Sequence, residues 1–171
     1  WVVNKKTNTL FGAVNVKQNK TRTVIHDLPN YIDHIGMYAF SYCIDLTEIT
    51  IPKCVVSIGE SSFDQCEKLE TIALPSGITS IGVGAFGECT SLKHIDFGTD
   101  VSYIGTAAFF ACINLATPSF YKTKIEIIPI RVIRCLFFIS VSVSVNNHTF
   151  RVADLKLVPT SLYQQIYPAF P

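Results

Sequence analysis

Hydrophobic residues recur along this chain with a period of 23 residues, far longer than the period of a helix or a strand. Between residues 35 and 115, five columns each repeat a single residue type four times. These are Ile35, Ile58, Ile81 and Ile104; Gly36, Gly59, Gly82 and Gly105; Phe40, Phe63, Phe86 and Phe109; Cys43, Cys66, Cys89 and Cys112; and Leu46, Leu69, Leu92 and Leu115. Such a period is typical of a solenoid, in which each unit buries its apolar side against the next.

Each unit is predicted to contain two short strands. Apolar and polar side chains alternate within residues 92–97. This alternation predicts a half-buried strand with Ile95 and Phe97 inward and His94 and Asp96 outward. The matching strands, residues 49–51 and 72–74, end at proline because its ring nitrogen cannot donate to a sheet. The second strands are predicted at residues 32–35, 55–58, 78–81 and 101–104.

The rest of each unit is predicted to be a turn. The glycine after each Ile is expected where a side chain would clash or where φ is positive. Phe, Cys and Leu follow at spacings of three, which fits a short 3₁₀ or α turn with all three inward. The pattern fades at His26, which takes the Ile49 column as a satisfied edge residue. It is expected to weaken or end at Pro118, because proline is unfavourable in a central strand.

The charge balance changes where the repeat stops. The net charge of +1 argues against a dedicated nucleic-acid surface. Residues 1–120 carry 8 Lys/Arg and 11 Asp/Glu, whereas residues 121–171 carry 6 and 2. We therefore predict an N-terminal cap or hairpin over residues 1–22, a solenoid over residues 23–120 and a non-repeat apolar tail over residues 121–171.

Because Trp1 comes first and no leader pattern follows, the chain is expected to be a piece of a larger polypeptide.

Both flanks are predicted to be β-prone. Residues 1–3 and 9–12 are expected to form a hairpin, either as a cap for the solenoid or as the remnant of an upstream domain. Residues 125–145 are apolar, and three interpretations stay open: a β-hairpin that turns at residues 146–148, a poorly folded tail, or a membrane segment. Membrane contact through residues 125–145 is the least favoured, because charges such as Arg131 and Arg134 oppose insertion.

The sequence predicts neither a metal site nor a cofactor. Four of the six cysteines share one column, where parallel side chains about 4.8 Å apart suit a disulfide poorly. We interpret this column as buried thiols that pack as small hydrophobic groups. No C-x-x-C or Cys/His cluster supplies converging zinc ligands, and no Walker or Rossmann glycine pattern occurs.

The candidate functional residues are the outward positions of the first strands, because stacked strands usually form the contact surface of a solenoid. They are Glu48, Thr50, Thr71, Ala73, His94 and Asp96. The alternative is that these residues only keep the sheet soluble. His94 and Asp96 suggest a Ser/His/Asp triad, but no G-x-S-x-G motif accompanies them, so no catalytic residue is predicted. Sequons at Asn19 and Asn147 would accept glycans in a eukaryotic secretory pathway.

The repeated residues resemble the BspA-type leucine-rich repeats, whose units read roughly L-P-x-x-(V/I)-x-x-I-G-x-x-A-F-x-x-C-x-x-L-x-x-I. The resemblance covers about residues 24–117, or four units. It implies a β-rich α/β-repeat fold, a right-handed superhelix of 23-residue units with a hairpin-like cap and a β-prone tail. It also implies a non-catalytic, cell-surface or secreted protein that adheres to a host, matrix or neighbouring-cell protein, or to a glycan. A structural spacer that presents another domain is the alternative.

The column of phenylalanines generates a direct test of the inward positions. We expect Phe86→Ala to lower the free energy of unfolding by roughly 3–5 kcal/mol, because it leaves a cavity in the stack. Chemical denaturation followed by circular dichroism measures the change. A loss below about 1 kcal/mol would show that the inward and outward positions have been assigned wrongly.

Overall fold

The computed structural model describes residues 1–12 and 23–116, and the backbone of residues 142–145 and 148–151. These ranges contain twelve short strands and no helix. The strands are β1 (Val2–Asn4), β2 (Thr9–Gly12), β3 (Val24–Ile25), β4 (His34–Ile35), β5 (Glu48–Ile49), β6 (Ser57–Ile58), β7 (Thr71–Ala73), β8 (Ser80–Ile81), β9 (His94–Asp96), β10 (Tyr103–Ile104), β11 (Ser142–Val145) and β12 (His148–Arg151). Each 23-residue unit forms one coil with two strands, as predicted.

One strand of each coil joins a six-stranded sheet with the order β1-β2-β4-β6-β8-β10. All neighbours in it are parallel except the hairpin pair β1 and β2. Ser57 pairs with Ser80 and Ile58 with Ile81, so the register equals the sequence period. This sheet contains the second strand predicted for each unit.

The other strand of each coil forms a broken row. β3 pairs with β5 and β7 pairs with β9, both in parallel, whereas β5 and β7 are not hydrogen-bonded to each other. Within the second pair, Thr71 lies opposite His94 and Ala73 lies opposite Asp96. The stack is therefore continuous on one side and interrupted between the second and third coils on the other.

The register of β3 corrects the position predicted for His26. Ile25, not His26, lies opposite Ile49, and it is fully buried. The spacing between these two residues is therefore 24, one more than the sequence period. The prediction was wrong because it carried the 23-residue spacing back into a coil with an additional residue. His26 is exposed at the edge, with a hydrogen-bonding partner, as expected.

The N-terminal hairpin covers one end of the stack, which confirms the predicted hairpin-like cap. β2 pairs with β1 on one side and with β4 on the other, so the hairpin extends the six-stranded sheet. Leu10 is fully buried below the first coil. The Trp1 indole N–H donates to the Asp27 carbonyl oxygen (3.0 Å), and its ring packs edge-on against Phe40 (6.1 Å between centroids).

Stacked aromatic rings form the centre of the core. The rings of Phe40, Phe63, Phe86 and Phe109 lie nearly parallel, with successive centroids 5.1, 5.2 and 5.5 Å apart. All four side chains are fully buried. Phe97 packs edge-on against Phe109 at 5.8 Å, so the residue directly after β9 joins this column at its later end. Offset and edge-on contacts between rings add to the stabilisation from burying apolar area.

The segments between strands are successive turns, so the prediction of a 3₁₀ or α turn was wrong. Bonds between residues three apart are present, for example from the Cys43 N–H to the Phe40 oxygen (3.1 Å). Tyr38 and Tyr42 have φ of 58° and 60°, and such left-handed residues interrupt any helical run. This geometry recurs one period later at Ser61 and Gln65.

The turns carry a second hydrogen-bond ladder between the coils. At the ends of the sheet strands the later coil donates to the earlier one, as from the Gly59 N–H to the Ile35 oxygen (2.8 Å). In the turns the earlier coil donates, as from the Phe63 N–H to the Ala85 oxygen (2.8 Å). Each coil is therefore bound to its neighbours through backbone donors on both of its sides.

The four cysteines of the column are buried free thiols, as predicted, and Cys54 is also a free thiol. The structure adds a role that the sequence did not indicate. The Cys89 thiol donates to the Phe63 carbonyl oxygen of the preceding coil (3.1 Å), and Cys112 donates in the same way to Phe86 (2.9 Å). A hydrogen bond with the Cys89 thiol, together with burial, raises the pKa of the Cys112 thiol. The column therefore links neighbouring coils through thiol–carbonyl hydrogen bonds.

Strands β11 and β12 pair as an antiparallel hairpin in which Val145 lies opposite His148. This pairing agrees with the hairpin interpretation of the apolar tail. Pro118, both sequons and most of residues 125–145 lie outside the described residues, so the predictions about them stay predictions. The boundary near residue 120 is likewise a prediction.

Steric contact, not positive φ, explains the recurring glycine. A β-carbon on Gly82 would lie 2.6 Å from backbone atoms of Gly59 and Glu60 in the preceding coil. Gly77 has more space, because its nearest neighbour would be the Lys53 oxygen at 3.6 Å. Neither glycine has a positive φ.

We expect Gly82→Ala to destabilise the fold by about 1–3 kcal/mol, because two backbones must move apart. Gly77→Ala is the matched control, and its effect should stay within about 0.5 kcal/mol or be slightly stabilising. Thermal unfolding followed by circular dichroism compares the two variants. Equal losses would contradict the role assigned to close backbone approach.

Ser62 occupies a column in which the other coils have Ala39, Ala85 and Ala108. Its side chain is fully buried, and among the described residues its hydroxyl oxygen is the buried side-chain polar atom without a hydrogen-bond partner. We expect Ser62→Ala to raise the free energy of unfolding by about 1 kcal/mol, since an unsatisfied hydroxyl is removed. Ala85→Ser should lower it by a similar amount in the same denaturation assay. Destabilisation by Ser62→Ala would show that the hydroxyl has a partner.

Candidate binding face

All six predicted residues are exposed and lie on the outer side of β5, β7 and β9 or directly after β5. Their neighbours in the strands, including Ile49 and Ile72, point inward and are buried. The face therefore consists of two columns that run across the coils. The columns are Glu48, Thr71 and His94, and Thr50, Ala73 and Asp96.

The face contains an open depression of about 780 Å³. It lies across the interruption between β5 and β7, and residues of both strands line it. All six predicted residues are among its lining. The structure therefore brings them together on one recessed surface, because consecutive coils repeat the same strand in register.

Polar contacts on this face are exposed and of mixed charge. The His26 ring nitrogen Nδ1 lies 2.6 Å from the Thr50 hydroxyl, and its Nε2 lies 3.6 Å from the Glu48 carboxylate. The Lys93 ammonium donates to the Glu70 carboxylate at 2.8 Å. Pairs as exposed as these contribute little to stability. Acidic and basic side chains both occur on the face, so it presents donors and acceptors and not a field of one sign.

Asp96 has a structural role that the sequence did not reveal. Its carboxylate accepts a hydrogen bond from the Gly98 N–H (3.0 Å), which closes a turn at the end of β9. Gly98 has φ of 64°, a conformation that favours glycine. The alanine variant would lose this bond together with any contact to a partner. Asp96→Asn keeps an oxygen acceptor and removes only the charge.

Sequence reasoning missed further residues of the depression, including Thr47, Lys53 and Glu70. Thr47 and Glu70 stand directly before the outward residues Glu48 and Thr71, at positions where strict alternation would direct a side chain inward. They are exposed because the alternation holds only within the strands, so the outward pattern could not have found them. His26 contacts Thr50 beside the depression and was not predicted as an outward residue, because its register in the first coil was incorrect.

The depression offers hydrogen-bonding groups and no evident reactive centre. Its described lining contains threonine hydroxyls, carboxylates, lysine and His94, but neither serine nor cysteine. Within residues 1–12 and 23–116, no three His, Cys, Asp or Glu side chains are grouped so that they could hold a metal ion. In the part of the chain that the structure describes, no helix is long and apolar enough to cross a membrane. The geometry is therefore suited to contact with another molecule.

Coils of 23 residues with stacked Ile, Phe and Leu columns define the class of leucine-rich-repeat solenoids. The model of the BspA type leucine rich repeat region matches residues 18–133 in six copies. The chain belongs to this family. The match extends beyond the four units over about residues 24–117 that the columns indicated.

Two solved bacterial structures are similar to the chain. A leucine-rich repeat protein of T. pallidum (TpLRR) is 33% identical with a TM-score of 0.53, over 54% of this chain and 43% of that one. A leucine-rich repeat protein from Bacteroides ovatus ATCC 8483 is 34% identical with a TM-score of 0.50, over 55% of this chain and 26% of that one. The chain thus spans less than half the length of either protein. Comparison with curated proteins gave no match.

Proposed function

We propose that the chain is a non-catalytic binding module that contacts a protein partner through the face formed by β5, β7 and β9. The observation that carries this proposal is the open depression lined by all six outward residues predicted from the sequence. Membership of the leucine-rich repeat family supports it, because repeat stacks commonly bind through an extended surface. Small and polar side chains on this face suit many modest contacts.

The proposed partner is a protein of a host, of the matrix or of a neighbouring cell, and the proposed location is the cell surface or the outside of the cell. A glycan is the second partner class, since threonine, carboxylate and histidine groups can bind hydroxyls. Family membership supports the location, and the mixed charge of the face supports a polar partner. The competing function is a spacer that holds another domain away from the surface, and it requires no partner for this face.

Ala73→Arg tests the face at its centre. Ala73 is exposed in the middle strand of the face, so an arginine there would obstruct contact without entering the core. We expect at least about a tenfold loss of affinity, equivalent to 1.4 kcal/mol, with a nearly unchanged melting temperature. Surface plasmon resonance against a panel of purified matrix and cell-surface proteins and oligosaccharides measures binding. His94→Ala and Asp96→Asn should give smaller losses in the same direction.

Val56→Arg is the matched control, because Val56 is an exposed residue of the second coil just before β6, on the other row of strands. It should leave affinity unchanged. Equal losses in both arginine variants would contradict the chosen face. Absence of binding across the whole panel would favour the spacer function.

A further inference from the structure

The junction between the second and third coils lacks backbone hydrogen bonds on one of its sides. On the sheet side β6 pairs with β8, and on the turn side the Phe63 N–H donates to the Ala85 oxygen (2.8 Å). On the face described above, no backbone hydrogen bond joins β5 to β7 within the described coils. We call this unpaired boundary between β5 and β7 the seam.

Both neighbouring junctions are bonded at the position that is open at the seam. In the first junction β3 pairs with β5, and the Thr50 N–H donates to the Ile25 oxygen (2.9 Å). In the third junction β7 pairs with β9 at the 23-residue register, and the Leu74 N–H donates to the Asp96 oxygen (2.8 Å). The seam is therefore a local exception in a row of strands that otherwise follows the repeat.

The strand edges at the seam have backbone groups that could still pair. At the register of the neighbouring junctions, the Thr71 N–H would donate to the Thr47 oxygen and the Ala73 N–H to the Ile49 oxygen. Neither bond is present. Thr71 and Ala73 are exposed and line the depression, so water can reach these groups and their separation costs little.

Nothing in the two strands prevents them from pairing. Neither β5 nor β7 contains proline or a residue with positive φ. Ile49 and Ile72 stay buried on the inner side, so the core is closed beneath the separated edges. An ion pair between Lys68 and Asp45 crosses the junction ahead of the strands (2.6 Å), and its partly exposed side chains can follow a small movement. Closure requires only a rotation of the two coils about the paired strands β6 and β8.

We propose that the seam opens and closes. β5 and β7 exchange between the separated state of this structure and a paired state in which β3, β5, β7 and β9 form one continuous sheet. The depression lies across the seam, so it narrows when the two strands pair. A partner that fills the depression therefore selects the separated state. The exchange itself needs no partner, so this inference does not depend on the function proposed above.

Methyl relaxation dispersion on the full chain with labelled isoleucine detects exchange on the microsecond-to-millisecond timescale. We expect dispersion at Ile49 and Ile72, which flank the seam, with the paired state populated on the order of 1–10%. Ile58 and Ile81 are the matched control, because they belong to the same two coils and face each other across paired strands. They should show no dispersion. A seam without dispersion, or equal dispersion at both pairs of residues, would contradict the proposal.

Amide hydrogen exchange tests whether the separated state is the main one. The Thr71 and Ala73 amides should exchange at least about a hundredfold faster than those of Glu48 and Thr50, which donate to the first coil. Equal protection of the two pairs would overturn the proposal, since β5 and β7 would then be permanently paired.

The decisive variant is Ala73→Pro, which removes the N–H that donates to Ile49 only in the paired state. This N–H has no backbone partner in the separated state. The melting temperature should therefore stay nearly unchanged, whereas the dispersion at Ile49 and Ile72 should be lost. Thr50→Pro stands in the same column but removes the bond to Ile25, so it should lower the melting temperature by several degrees. Dispersion that persists in Ala73→Pro would show that the motion is not the pairing of these strands.

Discussion

The stack depends on how closely the backbones of successive coils approach one another. The Gly59 and Gly82 N–H groups each donate to the Ile one coil earlier at 2.8 Å, and a β-carbon at either glycine would overlap the preceding coil. This approach sets the distance at which the phenylalanine rings meet, 5.1–5.5 Å between centroids. It also allows the buried thiols to reach a carbonyl oxygen of the preceding coil. Hydrogen bonding between coils and ring packing in the core thus both depend on this close approach.

The same constraint determines where recognition can occur. Residues that recur in every coil are directed inward, because each must fit the same space between two neighbours. The outward residues are free to differ, and they supply the exposed surfaces. On one side, the interruption between β5 and β7 opens a depression lined by polar groups. On the turn side, the exposed Tyr38 and Tyr42 of the first coil are replaced by Ser61 and Gln65 in the second. Each surface gains its chemistry from differences between coils.

Much of the fold could be predicted from the sequence, and the failures have identifiable causes. The inward columns and both strands of each coil follow from the alternation and the period. The helical turn was predicted from spacings of three, which successive turns with left-handed residues reproduce equally well. The register predicted for His26 was wrong because one coil contains an additional residue. Of the candidate face, six residues were predicted, whereas Glu70 was missed because it lies just before β7, where the alternation of inward and outward residues no longer holds.

The sequence by itself determined the solenoid, its 23-residue coil and the residues that face its core, because a repeated apolar column can be buried only by stacking. It also separated the outward positions from the core. Only the tertiary structure decided which outward residues lie together, since this depends on the register between coils and on the break between β5 and β7. It alone revealed the thiol–carbonyl bonds and the turn closed by Asp96. These features join residues from different parts of the molecule or depend on backbone conformations that the repeat pattern does not specify.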